Sequence, residues 1–77
     1  MRYFITGGTG TLGTAVTKYL LKNERDCEIG VFSRDEFKQW NMSSEINDRR
    51  VNYILGDVRD RQRIFDVIDG YDVVIHA

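Results

Sequence analysis

The sequence contains no proline, one cysteine and one histidine among its 77 residues. A single cysteine, Cys27, cannot form an intrachain disulfide, which excludes the disulfide-rich scaffolds of small secreted proteins. We interpret Cys27 as a small, partly buried side chain. The histidine, His76, has no second histidine or cysteine cluster to accompany it, so the sequence predicts no metal site.

Long apolar runs and an excess of one charge are also missing. No stretch approaches the roughly 20 apolar residues that cross a membrane, and the N-terminus lacks the apolar run of a signal peptide. We therefore expect a cytoplasmic chain without a membrane partner. The 11 basic and 12 acidic residues give a net charge of -1, which argues against general nucleic-acid binding. The hydrophobic fraction of 42% is typical of one small globular domain.

Short apolar runs alternate with helical spacing along the chain. The predicted strands are Arg2–Thr6, Glu28–Ser33, Val51–Leu55 and residues 72–77. Helices are predicted over residues 11–22 with Asn23 as a left-handed stop, over residues 34–44, and between a capping Asp60 and a terminating Gly70. This βαβαβαβ order predicts an α/β fold of Rossmann type, a doubly wound parallel sheet with strand order 3-2-1-4.

The apolar spacing also predicts which helix faces lie against the sheet. For the first helix the predicted inner residues are Leu12, Ala15, Val16, Tyr19 and Leu20. Trp40 and Met42 are expected to pack the second helix on the sheet. The predicted inner residues of the third helix are Ile64, Val67 and Ile68.

The fourth strand is followed by no covering helix, although parallel strands are buried on both faces. Its apolar edge would invite pairing with another chain. We therefore expect residues 1–77 to be the front part of a longer fold that is truncated after this strand.

Four of the seven glycines lie in the segment Thr-Gly-Gly-Thr-Gly-Thr-Leu-Gly, residues 6–13. A strand precedes this segment and a helix follows it, which is the context of a dinucleotide-binding loop. Gly7 and Gly8 permit a sharp turn, Gly10 permits close approach of a pyrophosphate, and Gly13 permits packing of the helix on the first strand.

The start of that helix is expected to face the phosphates. The residues expected to present donors there are Thr9, Thr11 and Leu12. The alternative is a glycine-rich turn that binds nothing. No Gly-Lys-Ser/Thr follows the glycines, which disfavours a nucleotide-binding P-loop.

The end of the second strand discriminates between dinucleotides. Ser33 offers a hydroxyl and Arg34 a planar cation that suits a 2′-phosphate, while Lys38 adds charge one turn further on. These residues favour NADP. Asp35 leaves NAD open, and Arg34 has an alternative role in pairing with Asp35, Glu36 or solvent.

Two further strand ends complete the predicted site. Asp57 and Val58 would lie beside an adenine, although Asp57 has the alternative of capping only the turn before the third helix. Ala77 suits close approach to a ribose, and His76 is expected near the diphosphate or simply packed. Three arginines, at positions 59, 61 and 63, are interpreted as a solvated helix face.

These segments together resemble a known family. Ile5-Thr6-Gly7-Gly8-Thr9-Gly10, Ser33-Arg34-Asp35-Glu36 with Lys38-Gln39, Gly56-Asp57-Val58-Arg59-Asp60 and Ile75-His76-Ala77 follow the order seen in extended short-chain dehydrogenase/reductases of polysaccharide biosynthesis. The most similar group is the UDP-N-acetylglucosamine 4,6-dehydratases, including the inverting ones. The resemblance implies NADP held by Gly7, Gly10 and Gly13, with Ser33 and Arg34 at the 2′-phosphate. It further implies Asp57 and Val58 at the adenine and Ala77 along the ribose.

The family's catalytic Tyr-x-x-x-Lys motif is not found in the chain, so no catalytic residue is assigned. The resemblance implies a homo-oligomeric NADP-dependent lyase that acts on UDP-GlcNAc for surface polysaccharide or glycan synthesis. Residues 1–77 would be its N-terminal NAD(P)-binding portion, with the catalytic and substrate-binding part absent, and this segment alone would be inactive. One alternative is a non-catalytic module that senses NAD(P) or recruits a partner through its fourth strand. Others are a fragment of a related sugar-nucleotide epimerase or reductase, and an inert gene remnant.

Overall fold

Strands and helices alternate throughout the computed structural model, which describes residues 1–77. The strands are β1 (Arg2–Thr6), β2 (Glu28–Ser33), β3 (Val51–Leu55) and β4 (Val73–His76). The helices are α1 (Thr11–Asn23), α2 (Glu36–Glu45) and α3 (Arg61–Ile68). All neighbouring strands pair in parallel in the order β3-β2-β1-β4, which confirms the predicted doubly wound sheet.

The element boundaries follow local hydrogen bonds. The first three strands have the predicted bounds, whereas β4 is shorter by one residue at each end. Helix α2 begins at Glu36 rather than at residue 34 because the Asp35 carboxylate caps it, accepting the Lys38 N–H at 3.0 Å. Asp60 caps α3 in the same way, as predicted, and Gly70 beyond that helix has a φ of 85°.

The predicted left-handed stop at Asn23 is wrong. Asn23 is the last residue of α1, and its side-chain amide donates to the Tyr19 carbonyl at 2.8 Å. Glu24 closes the helix instead, with an extended φ of -126° and an N–H that donates to the Leu20 carbonyl. The side chain of Asn23 therefore satisfies a carbonyl of its own last turn, and the helix ends without a residue of positive φ.

The main core lies on the sheet face that carries α1 and α2. Its nine buried residues are Tyr3, Ile5, Leu20, Cys27, Ile29, Val31, Met42, Ile46 and Val51. Because successive strand residues point to opposite faces, Phe4 and Phe32 lie on the other face, where both are fully buried. Their ring centroids are 5.3 Å apart, and Tyr71 packs edge-on against Phe4 at the same distance.

The predicted inner face of α1 is confirmed for Val16 and Leu20 and is wrong for its other three residues. The buried residues are Gly13, Thr17 and Leu20, whereas Leu12 and Tyr19 are exposed, as is Ala15. Small residues decide the rotation of the helix. Gly13 lies against Gly8, and the Thr17 hydroxyl donates to the Gly13 carbonyl at 2.9 Å, so both residues fit the narrow space above the sheet.

The other two helices show one error and one confirmation. Trp40 is 66% exposed and does not pack α2 on the sheet, while Met42 does. Gln39 takes the second buried position of α2 instead of an aromatic ring. In α3, the predicted Ile64, Val67 and Ile68 are the residues withdrawn from solvent, each to an intermediate degree. None of the three helices has the length and apolar character needed to cross a bilayer.

Candidate functional site

The glycine loop connects the end of β1 to α1, at the edge of the sheet where parallel α/β proteins bind ligands. Gly7 has a φ of 64°, which favours glycine, and a Cβ there would lie 2.6 Å from the Ala77 carbonyl oxygen. A Cβ on Gly8 would lie 2.6 Å from Val31 Cγ1, and one on Gly13 would lie 2.5 Å from the Gly8 Cα. Packing within the protein therefore accounts for these three glycines.

Gly10 is different. Its backbone is extended, with a φ of -76° and a ψ of 178°, and a Cβ would approach no protein atom closer than 3.4 Å. Neither backbone strain nor internal packing requires glycine at this position. A side chain at Gly10 would instead cover the start of α1. With glycine there, a ligand can reach the backbone of the helix start.

The start of α1 carries free hydrogen-bond donors. Gly10 precedes the helix without a capping side chain, and the backbone N–H groups of Thr11, Leu12 and Gly13 donate to no protein acceptor. No acidic side chain lies in the first turn to neutralise the positive end of the helix dipole. Bare glycine surface and unsatisfied donors together fit an anionic group such as a phosphate.

A cleft of about 650 Å³ opens between this loop and the ends of β2 and β3. It brings together eight predicted site residues, namely Gly7, Thr9, Gly10, Ser33, Arg34, Lys38, Asp57 and Val58. Four predicted residues lie outside its lining. Thr11 lines an adjoining hollow with Thr9, Leu12 is exposed, Gly13 is buried, and Ala77 lies against Gly7.

A larger hollow, of about 830 Å³, lies at the opposite end of the sheet. Arg50 dominates it, donating to Asp48 and to backbone carbonyls at the end of α1. These groups are already hydrogen-bonded within the protein, and no glycine loop or helix start faces the hollow. We therefore place the candidate site in the smaller cleft.

Arg34, at the end of β2, pairs with neither Asp35 nor Glu36, the acidic partners that the sequence suggested. Arg34 Nη1 lies 3.5 Å from Asp57 Oδ2, so the ion pair spans from β2 to the turn after β3. Asp35 is engaged with the backbone of α2 as its cap. Asp35 was the residue that kept NAD possible in the sequence analysis. Its carboxylate is therefore used in part to cap α2.

Asp57 organises the turn after β3. Its carboxylate accepts from the Arg59 guanidinium at 2.8 Å and from the Arg59 backbone N–H at 2.9 Å, and its carbonyl accepts the Asp60 N–H. The hydrogen bonds from Arg59, aided by the charge of Arg34, hold the pKa of Asp57 well below its usual range. Conversely, Asp57 raises the pKa of Arg59. Asp57 thus has the turn-forming role that the sequence left open, and it also lines the cleft.

The interpretation of all three arginines as a solvated helix face is wrong for Arg59, which does not belong to the helix. Arg59 precedes α3 and lines the cleft. Arg63 is exposed on α3, as predicted, and its Nε and Nη2 also donate to the Leu55 carbonyl at the end of β3, at 3.1 and 3.0 Å. Arg61 is exposed and makes no side-chain hydrogen bond. The Asp-x-Arg spacing of the Asp57 turn was the available signal for Arg59.

Two residues at the edge of the site were not predicted as such. Gly56 lines the cleft, and a Cβ there would lie 2.5 Å from the Phe32 ring. Gln39 is buried behind the cleft and hydrogen-bonds Ser33. His76, expected near the diphosphate or packed, is exposed beyond the lining, with Nδ1 at 2.5 Å from Thr6 Oγ1.

The charge of the lining suits an anion. Three cations, Arg34, Lys38 and Arg59, face two carboxylates, Asp35 and Asp57. The cleft therefore carries a net positive charge, although the chain as a whole is slightly negative.

Similarity to known proteins identifies the family of this chain. The model of the polysaccharide biosynthesis protein family matches residues 3–77. The chain belongs to that family. Residues 3–77 include the glycine loop and the ends of all four strands, and membership confirms the resemblance seen in the sequence.

Curated relatives of this family member include two kinds of enzyme. An inverting UDP-N-acetylglucosamine 4,6-dehydratase of Campylobacter jejuni is 48% identical over 73 residues, and a UDP-glucose 4-epimerase of Rickettsia bellii is 46% identical over 76 residues. In both cases 95% of the family member is covered but only 22% of the relative. The chain thus spans about a fifth of the length of these relatives.

Solved structures show the same fold. Pen from Bacillus thuringiensis superposes with a TM-score of 0.86 at 33% identity, covering 95% of this chain and 22% of the other. WbmG from Bordetella bronchiseptica, solved in complex with NAD, superposes with a TM-score of 0.82 at 25% identity, covering 100% of this chain and 24% of the other.

Proposed function

We propose that the chain binds a nicotinamide dinucleotide, with the diphosphate against Gly10 and the first turn of α1. The observation that carries the proposal is the contrast between Gly10 and its neighbours, since no protein atom occupies the space that a Gly10 side chain would fill. The free N–H groups of Thr11, Leu12 and Gly13 supply donors in the same place. The NAD bound to the similar WbmG supports the same class of ligand.

The remaining groups of the dinucleotide are assigned along the cleft. Gly7 and Thr9 flank the diphosphate, and Asp57 and Val58 lie where an adenine would enter between β2 and β3. The Asp57 carboxylate already accepts from Arg59, so the adenine amine would share this acceptor. Ala77 is proposed to approach the ribose next to Gly7.

We propose NADP rather than NAD as the preferred dinucleotide. Arg34 and Lys38 give the end of β2 a positive charge, while Asp35 is held as the cap of α2. A 2′-phosphate adds negative charge that a cationic fork binds well. When bound, the nicotinamide accepts and returns a hydride, and the residues of this chain bind and orient it.

For the whole protein we propose a nucleotide-sugar 4,6-dehydratase that acts on UDP-GlcNAc. The 48% identity to the inverting dehydratase supports this substrate. The nearly equal identity to a UDP-glucose 4-epimerase supports the epimerase as second candidate. Residues 1–77 are then the dinucleotide-binding portion, and they are inactive alone because no Tyr-x-x-x-Lys motif is present in them.

The dinucleotide assignment is tested by titrating the 77-residue chain with NADP and NAD in a calorimeter. We expect tighter binding of NADP. Arg34→Gln should weaken NADP binding by about ten-fold or more, because it removes a charge-assisted hydrogen bond, and should change NAD binding little. Arg61→Gln is the matched control, since Arg61 is exposed outside the cleft. Failure to bind either dinucleotide would contradict the proposed function.

The two candidate enzymes are separated by their products. If the reading frame continues into a Tyr-x-x-x-Lys motif, the extended protein can be incubated with UDP-GlcNAc and with UDP-glucose. A dehydratase yields a product that has lost one water, which mass spectrometry detects. An epimerase yields an isomer of unchanged mass, which chromatography resolves.

A further inference from the structure

Gln39 lies in α2 with only 6% of its surface exposed, directly behind the cleft. Its amide nitrogen Nε2 is within hydrogen-bond distance of three oxygen atoms. The carbonyl of Ile54 lies at 2.8 Å, the hydroxyl Oγ of Ser33 at 3.0 Å and the carbonyl of Ser33 at 3.3 Å. One side chain therefore joins the ends of β2 and β3 where Ser33 enters the cleft.

These neighbours fix the orientation of the amide. Two of the three are backbone carbonyls, which only accept hydrogen bonds, so the NH₂ group of Gln39 must face them. One amide hydrogen serves Ile54, and the other is shared by the hydroxyl and the carbonyl of Ser33. The Ser33 hydroxyl is consequently an acceptor toward Gln39.

A serine hydroxyl that accepts from one side retains a single hydrogen to donate. Ser33 makes no other side-chain hydrogen bond, and its residue lines the cleft. The hydrogen is thus available to a ligand. A fully ionised phosphate only accepts hydrogen bonds, whereas a ribose hydroxyl both donates and accepts, and the bond to the charged acceptor is the stronger one.

We propose that Gln39 is a positioning residue that holds the Ser33 hydroxyl as a donor toward the cleft and so favours NADP over NAD. This inference rests on the proposed function and names a residue that sets its specificity. Gln39 does not line the cleft, so it acts through Ser33 rather than by touching the ligand.

The first test is Gln39→Met, which keeps the length of the side chain and removes its donors. Without Gln39 the Ser33 hydroxyl can occupy three staggered rotamers, so the fraction oriented toward the ligand falls about three-fold. Loss of the donor that polarises this hydroxyl also weakens its hydrogen bond to the phosphate. We therefore expect the ratio of NADP to NAD affinity to fall by about three- to ten-fold. Gln62→Met is the matched control, because Gln62 donates only to Asp66 on the exposed side of α3.

A double-mutant cycle shows whether the effect passes through Ser33. Ser33→Ala alone should lower the affinity ratio, and adding Gln39→Met to it should change the ratio no further. An unchanged ratio in Gln39→Met overturns the inference, and so do losses that add in the double variant. If the unsubstituted chain binds neither dinucleotide, the proposed function itself fails, which is a distinct result.

A measurement on the unsubstituted chain covers the case in which Gln39→Met does not fold. The side-chain NH₂ resonances of Gln39 are followed by nitrogen-15 NMR during titration with each dinucleotide. NADP should shift them more than NAD at saturation, because the phosphate polarises the hydroxyl to which the amide donates. Equal shifts with both dinucleotides overturn the inference.

Discussion

Gly13 in the first turn of α1 lies so close to Gly8 that a Cβ on Gly13 would be 2.5 Å from the Gly8 Cα. The obstructing atoms belong to the backbone, so they cannot swing aside as a side chain would. Three residues earlier, Gly10 has no such neighbour. The two glycines of one loop therefore respond differently to substitution.

Gly13→Ala should destabilise the fold more than Gly10→Ala does. Overpacking costs about 1–3 kcal/mol, which exceeds the gain of about 1 kcal/mol from replacing glycine by alanine in a helix. Gly10→Ala should lower the free energy of unfolding by no more than about 1 kcal/mol, because alanine is a weaker helix N-cap than glycine. It should weaken NADP binding about ten-fold or more, which is the scale of one charged hydrogen bond. Urea unfolding and calorimetric titration measure the two effects. Tight binding by Gly10→Ala would contradict the placement of the diphosphate.

Phe4 is fully buried on the second face of the sheet, between Phe32 and Tyr71. Phe4→Ala should lower the free energy of unfolding by about 3–5 kcal/mol through lost apolar burial and the cavity left behind. Phe65→Ala is the control, because Phe65 is 75% exposed and its truncation should cost less than about 0.5 kcal/mol. Similar losses for both variants would show that this face is not packed as described.

Asp48 should make the fold sensitive to acid. Hydrogen bonds from Arg50 lower the pKa of Asp48 from 3.8 to about 2. A lowered folded-state pKa means that the contribution to stability is present above pH 3.8 and is lost as the pH falls toward 2. Asp48→Asn should therefore show a shallower loss of stability than the parent chain between these pH values. Asp69→Asn, at an exposed residue without a side-chain hydrogen bond, should retain the parent profile.

Tyr3 should make the fold sensitive to alkali. Its hydroxyl donates to the Glu24 carboxylate, and this bond, with burial, raises the pKa of Tyr3 from 10.0 to about 12. A raised folded-state pKa gives stability that is complete below pH 10 and is lost as the pH rises toward 12. Circular dichroism should show a smaller loss for Tyr3→Phe across that window. Tyr19→Phe, at a residue 65% exposed, should behave as the parent chain does.

The strands and their order were predictable because short apolar runs that alternate with helical spacing are typical of parallel strands joined by crossover helices. The loop glycines were predictable because their spacing encodes a turn and a helix start. Side-chain rotation was harder to predict. Thr17 and Gln39 are polar, yet both are buried because carbonyls supplied by Gly13, Ser33 and Ile54 satisfy them.

Those carbonyl partners are fixed only when the chain is folded, so sequence spacing favoured apolar residues such as Tyr19 and Trp40, which prove to be exposed. The same reason explains Arg59. Its pairing with Asp57 depends on the conformation of one turn, and only the Asp-x-Arg spacing of residues 57–59 distinguishes it in the sequence from the arginines at positions 61 and 63.

The pairing of β1 with β4 has a kinetic consequence. The Arg2 backbone N–H donates to the carboxylate of Asp72, 70 residues away, and the Asp72 N–H donates back to the Arg2 carbonyl. In the sheet β1 lies between β2 and β4. At a synthesis rate of roughly 5–20 residues per second, β1 leaves the ribosome several seconds before β4 has been synthesised. Pairing strands so far apart in sequence is slow. A nascent chain whose sheet still lacks β4 is therefore the stage most prone to aggregation and most in need of a chaperone.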